Sequence, residues 1–199
     1  MFVGHYGPGF AIKSARPEIP LWLLFVAVQV LDFASSILII VGVKNMPYTH
    51  SLVVAMLWAL GAILLSPLLG FGMVSAFWMG AAVFSHWVLD FLVHRPDLPL
   101  YDDTMKVGLG LSSLPAIEFS LEGIFLYAGM ALYLRATRPI NFIGRFGLPV
   151  FGLVMLAFQA LLFFGPLPRS PIQFSIELLL SFTFFTAVAA WLAHQREGA

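Results

Sequence analysis

Cysteine is absent from the 199 residues, which removes disulfide cross-links, thiolate metal sites and a cysteine nucleophile from consideration. Charge is scarce: Lys and Arg number 10, Asp and Glu number 10, and the formal net charge is zero. Nothing in that balance attracts a polyanion, so no nucleic-acid partner is expected. Linkers and low-complexity segments are missing, so residues 1–199 read as one integral membrane domain. The N-terminus also lacks the short basic stretch and clean apolar core of a cleaved signal peptide, and residues 1–20 are expected to remain on the chain.

What is present is apolar: 60% of residues are hydrophobic and the mean hydropathy is +0.94. That places the chain outside the composition of soluble domains. The fold class expected is all-α, a polytopic transmembrane helical bundle of about six spans, at roughly 20 residues for each crossing. The spans are read at about 21–43, 51–71, 73–94, 113–134, 146–164 and 172–194. Ahead of them, Gly4-His5-Tyr6-Gly7-Pro8-Gly9 is too rich in glycine and proline for one long helix. It reads as a short interfacial or re-entrant segment, with Pro20 at the entry to the first span. The second span holds no ionisable residue and has small residues for close packing at Ala55, Ala59, Gly61 and Ala62. Arg95 to Ser112 is the most polar stretch and is expected to be an exposed loop or lid. Arg135, Arg138 and Arg145 are read as a basic loop, and Gly165-Pro166-Leu167-Pro168 as a turn.

With six spans the two ends of the chain share a side. That side collects Lys13, Arg16, Arg135, Arg138, Arg145 and Arg196, and the other collects Lys44, Arg95, Lys106 and Arg169. Six against four biases the shared side toward the cytoplasm.

The stretch Ser85-His86-Trp87-Val88-Leu89-Asp90-Phe91-Leu92-Val93-His94 interrupts this monotony. Steps of four drift by only about 40° around a helix, so His86, Asp90 and His94 form one polar stripe. Such a stripe cannot face lipid without a cost of a few kcal/mol per ionisable group. In the first span, Gln29, Asp32 and Ser36 share a face directed into the bundle. In the fourth, Glu118 and Glu122 are again one turn apart. Counting about 1.5 Å per residue from the side of His50 and His94, Asp32 lies roughly 16 Å deep, His86 about 12 Å, Asp90 about 6 Å, Glu118 about 8 Å and Glu122 about 13 Å. Ionisable groups of separate spans therefore fall in one half of the bilayer.

Imidazole and carboxylate form the donor set of zinc, with manganese or iron as alternatives, and the lack of cysteine steers away from copper(I) and iron–sulfur chemistry. His86 and Asp90, at i and i+4, can hold one divalent metal ion from a single helix. Asp32, His50 and His5 can complete the shell, and two metals are compatible with so many donors. A lone buried His or Asp in a bundle serves equally well as a structural hydrogen-bonding residue. His94 and His194 also fit interfacial positions.

Gly4-His5, Asp32 in the first hydrophobic stretch, Thr49-His50-Ser51, and His86 followed four residues later by Asp90 together form a pattern. It resembles the YdjM-like predicted membrane-bound, metal-dependent hydrolases, also described as LexA-binding, inner membrane-associated hydrolases. The likeness covers about the first half of the chain. It implies a bacterial inner-membrane protein with metal ligands drawn from His5, Asp32, His50, His86 and Asp90. Two departures stand out: Leu31-Asp32-Phe33 replaces the family's denser Asp-x-Asp-His-type cluster, and Pro47-Tyr48 replaces the basic Arg-Gly ahead of Thr-His-Ser.

The leading functional expectation is a metal-dependent hydrolase acting on an ester or phosphoester of a lipid-like, membrane-accessible substrate. Asp90 or Glu122 would take the proton of an activated water, and Arg95 would steady an anionic headgroup. The alternatives are a transporter or proton-coupled channel, and a non-catalytic subunit of a homo-oligomer or larger membrane complex. For His5 to join the other ligands, the glycine-rich N-terminus must re-enter the bundle, which irregular backbone tolerates where protein covers it.

Overall fold

The computed structural model describes residues 1–43, 46–165 and 170–198. Six of its helices are long and apolar enough to cross a membrane, and the architecture is an all-α bundle with minor strands. A 3-10 turn, Val3–His5, leads into α1 (Tyr6–Ala15). The spans are α2 (Leu21–Ile40), α4 (Leu52–Leu65, extended by a 3-10 turn to Leu69), α5 (Met73–Val93), α6 (Pro115–Arg135), α7 (Phe142–Phe164) and α8 (Pro171–Ala193). A short α3 (Met46–Thr49) precedes α4.

Local chemistry sets most of the span boundaries. Pro20 stands at the N-cap of α2 with an extended ψ of 137°. Gly42 and Gly70 take positive φ just beyond α2 and the Ser66–Leu69 turn, a conformation glycine adopts without steric cost. Asn141 Oδ1 accepts from Gly144 N at 2.8 Å and Ser170 Oγ from Gln173 N at 3.1 Å, capping α7 and α8. Large apolar side chains such as Leu68 (81% exposed) and Phe142 (76%) face outward, as they do where lipid is the solvent.

The N-terminal segment does re-enter. Val3, Tyr6 and Phe10 are fully buried, and α1 lies inside the bundle against α6, α2 and α5. Its contact with α6 is backbone on backbone: a Cβ on Gly129 would fall 2.0 Å from Gly7 O, and one on Gly7 would fall 2.2 Å from Phe125 O. Only glycine permits that approach. Phe2 anchors the leading end among Phe158, Phe182 and Phe185, with ring centroids 5.4–6.0 Å apart.

Two connections differ from the sequence expectation. Arg95 to Ser112 is a folded antiparallel hairpin, β1 (Leu98–Tyr101) with β2 (Thr104–Val107), and Leu98 is fully buried. Leu109 N and Gly110 N then donate to Phe91 O and His94 O at 2.9 and 2.7 Å, closing the C-terminal end of α5. Gly108, at φ +148°, sits where a Cβ would lie 2.3 Å from His94 O. The basic loop is also ordered. β3 (Thr137–Pro139) pairs with β4 (Arg196–Gly198), and Arg145 belongs to the first turn of α7. The Arg196 guanidinium donates to Leu134 O, Thr137 O, Thr137 Oγ1 and Gly144 O. The turn expected at Gly165-Pro166-Leu167-Pro168 lies, past Gly165, outside the described residues.

Candidate metal centre

Five side chains from four segments meet on the side of the bundle where α5 ends and α4 begins. His5 closes the N-terminal 3-10 turn, Asp32 stands on the inner face of α2, His50 immediately precedes the Ser51 N-cap of α4, and His86 and Asp90 occupy consecutive turns of α5. His5, His50, His86 and Asp90 are each at most 4% exposed, and the Asp32 side chain is 22% exposed.

The ring nitrogens and carboxylate oxygens converge. His5 Nε2 lies 3.2 Å from Asp90 Oδ1, and His86 Nε2 lies 3.2 Å from Asp90 Oδ2 and 3.6 Å from Asp32 Oδ1. His50 Nε2 lies 3.2 Å from Asp32 Oδ1 and 3.6 Å from Asp90 Oδ2. The His5 and His86 rings stack, with centroids 3.8 Å apart and planes at 9°. Donor atoms of His5, Asp32 and His86 all lie within 4.8 Å of one another, and so do those of His50, His86 and Asp90. The two triads share His86.

Surrounding groups orient these rings. His86 Nδ1 is 2.7 Å from Val28 O, so Nδ1 carries a hydrogen and Nε2 is the nitrogen that faces the carboxylates. Thr49 Oγ1 sits 2.7 Å from His50 Nδ1, and Trp87 Nε1 donates to His50 O at 2.9 Å. Metal-ligating histidines are held in this way, by a partner on the nitrogen facing away from the ion.

Whether the donors suit an ion is tested by their hydrogen bonding. His5 Nε2 and His86 Nε2 are buried and, despite carboxylate oxygens 3.2 Å away, form no hydrogen bond with them. Buried polar atoms in an ordinary hydrogen-bonded core are satisfied. Here His50 Nε2 is hydrogen-bonded to Asp32 Oδ1 at 3.2 Å, whereas the His5 and His86 nitrogens are close to carboxylate oxygens without well-formed hydrogen bonds. Donors that converge within 4.8 Å also fit a shared cation, and imidazole with carboxylate is the donor set of zinc, manganese or iron.

All five residues expected as ligands are thus brought together, His5 included. The residues expected in catalytic roles divide. Asp90 lies at the heart of the cluster. Glu122 stands apart from it: Oε1 accepts from Phe2 N at 2.7 Å and Gln159 Nε2 at 3.1 Å, and Oε2 accepts from Gly4 N at 2.5 Å. Arg95 is exposed beyond the end of α5 and, among the described residues, joins no ion pair with the cluster. Glu118 is buried one turn above Glu122.

Sequence reasoning placed His94 beside Asp90 on the i, i+4 stripe but missed the contacts of Met1 and Gln29 and the pairing of His94 with Asp97. The Met1 amino group donates to Asp90 Oδ1 at 2.9 Å, and Gln29 Nε2 donates to Phe2 O at 3.1 Å. His94, at the mouth, has Nδ1 3.0 Å from Asp97 Oδ1 and Nε2 4.0 Å from Asp90 Oδ2. Only the last had a signal in the sequence, the His-x-x-Asp spacing just past the helix.

Fold and site define a multi-pass helical membrane protein with a buried histidine–aspartate cluster of metal-binding geometry. No known family model, curated protein or solved structure matches the chain.

Proposed function

We propose that the cluster holds a divalent metal ion, zinc first and manganese or iron as alternatives, and that the protein is a metal-dependent hydrolase of a lipid-like ester or phosphoester in a bacterial inner membrane. The observation that carries this reading is the convergence of three histidines and two aspartates, with donor atoms of His5, Asp32 and His86, and of His50, His86 and Asp90, within 4.8 Å of one another. The likeness to the predicted membrane-bound hydrolases adds support, since the same five residues carry it.

A divalent ion in this setting lowers the pKa of water and polarises a carbonyl or phosphoryl oxygen. The protein's own groups do the rest. His5, His50 and His86 offer neutral nitrogen donors, Asp32 and Asp90 neutralise the charge brought in, and the apolar walls of α2, α4 and α5 keep bulk water away. Asp90, at the heart of the cluster, is the carboxylate within reach of a water activated there, whereas Glu122 is turned to Phe2 N–H, Gly4 N–H and Gln159 Nε2. Arg95, at the mouth, is placed to meet an anionic headgroup before it enters.

A lipid-like substrate is favoured by a groove of about 420 Å³ between α2, α4 and α5. Its near end, at Val30, Val54 and Val83, lies within four residues of Asp32, His50 and His86, and its far end is at Leu23, Leu65 and Met79. From Val54 to Leu65 it runs about 16 Å along α4 at 1.5 Å per residue, close to half of the ~30 Å hydrocarbon core.

Elemental analysis of protein purified without chelator is the direct test. One or two equivalents of a divalent ion are expected in the wild type, and none in His86→Ala, which belongs to both triads. His5→Ala and His50→Ala each spare one triad and are expected to retain partial loading. Wild-type protein that takes up no metal on dialysis against Zn²⁺, Mn²⁺ or Fe²⁺ would refute the reading. Loaded protein that leaves labelled phospholipid and acyl-ester vesicles intact would refute the hydrolase half of it alone.

A further inference from the structure

Glu122 is the deepest carboxylate of α6 and is fully buried, and among the described residues neither an arginine nor a lysine is hydrogen-bonded to it. Its partners are amide groups. Oε1 takes Phe2 N–H and Gln159 Nε2, Oε2 takes Gly4 N–H, and from α2 Gln29 Nε2 reaches Phe2 O. Backbone of residues 2–4 is therefore gripped on both its donor and acceptor sides by side chains of two spans. Gly4 allows the approach, since a Cβ there would lie 3.0 Å from Glu122 Oε2 and 2.6 Å from Met1 Sδ.

We propose that Glu122, with Gln29, is the positioning residue of the site: it seats the N-terminal turn so that the imidazole of His5 stacks on His86 and faces Asp90. This rests on the metal reading above. His5 is joined directly to Gly4, so fixing Gly4 N places the His5 Cα within one peptide unit, about 3.8 Å. The other ligands need no such device. His86 and Asp90 are fixed by α5, Asp32 by α2, and His50 by the α4 N-cap; His5 stands at the N-cap of α1, so α1 holds it from one side and the Glu122-bound turn Val3–His5 from the other. A carboxylate suits the position because the two backbone N–H groups address its two different oxygens, Phe2 N–H on Oε1 and Gly4 N–H on Oε2. The amide of a glutamine has one acceptor oxygen and would turn N–H donors toward a second N–H. The role differs from proton transfer, and Glu122 is not counted among the ligands.

The test uses the full-length protein in detergent, with Cu²⁺ as a spectroscopic probe and Co²⁺ titration for affinity. Wild type is expected to show one more coordinated imidazole by pulsed EPR than either His5→Ala or Glu122→Gln. Glu122→Gln should bind Co²⁺ about 10–100-fold more weakly, the range that partners of a ligand contribute, and His5→Ala, which deletes the ligand itself, at least as weakly. The double variant His5→Ala/Glu122→Gln should be no weaker than His5→Ala alone, because both changes remove the same ligand. Glu122→Asp, which keeps two acceptor oxygens on a shorter arm, should restore part of the signal. Glu177→Gln, a carboxylate change elsewhere in the bundle, should leave it intact.

Amide hydrogen exchange supplies a readout that needs no metal. Phe2 and Gly4 should lose protection in Glu122→Gln while the middle turns of α2 and α5 keep theirs, which separates unseating from unfolding. A Glu122→Gln protein with the wild-type imidazole count and unchanged exchange at Phe2 and Gly4 overturns the proposal and leaves the metal site standing. Additive losses in the double variant also overturn it. Wild-type protein that binds neither Cu²⁺ nor Co²⁺ overturns both readings.

Discussion

His86 concentrates the argument at the scale of single residues, since it belongs to both triads and its outer nitrogen is committed to Val28 O. His50 is held by a hydroxyl instead, Thr49 Oγ1 at 2.7 Å from Nδ1. Thr49→Val keeps the shape of the side chain and removes that partner, so Zn²⁺ affinity should fall by about tenfold while the helix content stays unchanged. Isothermal titration with Zn²⁺ and circular dichroism check both halves, and an unchanged Zn²⁺ affinity would argue against His50 as a ligand. Away from the site, Glu18 on the opposite side of the bundle accepts from the Ser75 hydroxyl, which holds its carboxyl below the usual range. A depressed folded-state pKa adds stability above the ordinary carboxylate pKa of about 4.3, and that stability is lost as pH falls through the depressed value. Ser75→Ala should therefore melt slightly below wild type at pH 7, and the difference should vanish under strong acid. A gap that persists there would mean that Ser75 acts through packing.

Much of the site was readable from side-chain spacing. Asp90 and His86 are one turn apart, and simple counting from the side of His50 puts Asp32 and His86 in the same half of the bilayer, roughly 16 and 12 Å deep. Glu122 was not readable in the same way: an intramembrane carboxylate four residues from another looks like a base, and its partners are backbone N–H groups that leave no mark in a sequence. Arg95 likewise follows His94 in the chain, but the end of α5 directs it outward, past the cluster.

Among the elements, α1 is the one on which the site hangs, because it carries His5 inward while its packing depends on glycine. Gly129→Ala places a Cβ about where Gly7 O lies, 2.0 Å away, so α1 must shift from α6. Overpacking of this kind costs about 1–3 kcal/mol. A lower melting temperature in detergent and weaker Zn²⁺ binding are expected together, since His5 moves with α1. Loss of stability with metal affinity untouched would show that α1 does not transmit its position to the site. Spans of 20–23 apolar residues announce themselves by length, and their ends fell within a few residues of the caps. The hairpins did not. Strands of three or four residues are too short for a period-of-two signal, and β3 finds its partner in β4 some sixty residues away. What orders Arg95 to Ser112 is the burial of Leu98 and the capping of α5 by Leu109 and Gly110, which are tertiary facts.

At the scale of the whole molecule, the six spans place the β1–β2 hairpin and the mouth of the site at one end, and the β3–β4 pair at the other. His94 and the partly exposed Asp32 carboxylate lie toward the hairpin end. An ion should therefore exchange through that end alone, because the far end is closed by α1 with its buried Ile12, by the buried Ile19 between α1 and α2, and by the Arg196 clamp. The absence of cysteine makes the point directly measurable. Tyr101→Cys on β1 and Arg138→Cys on β3 each introduce one exposed thiol, and a membrane-impermeant maleimide should label them from opposite faces of sealed vesicles. Six of the ten cationic residues lie on the Arg138 side, so that side should be the cytoplasmic one. A membrane-impermeant chelator should strip bound Zn²⁺ only from vesicles that present Tyr101 outward. Labelling of both thiols from one face would break the six-span arrangement. Stripping from the Arg138 face would leave the topology intact and require a second path, through α1, to the ligands.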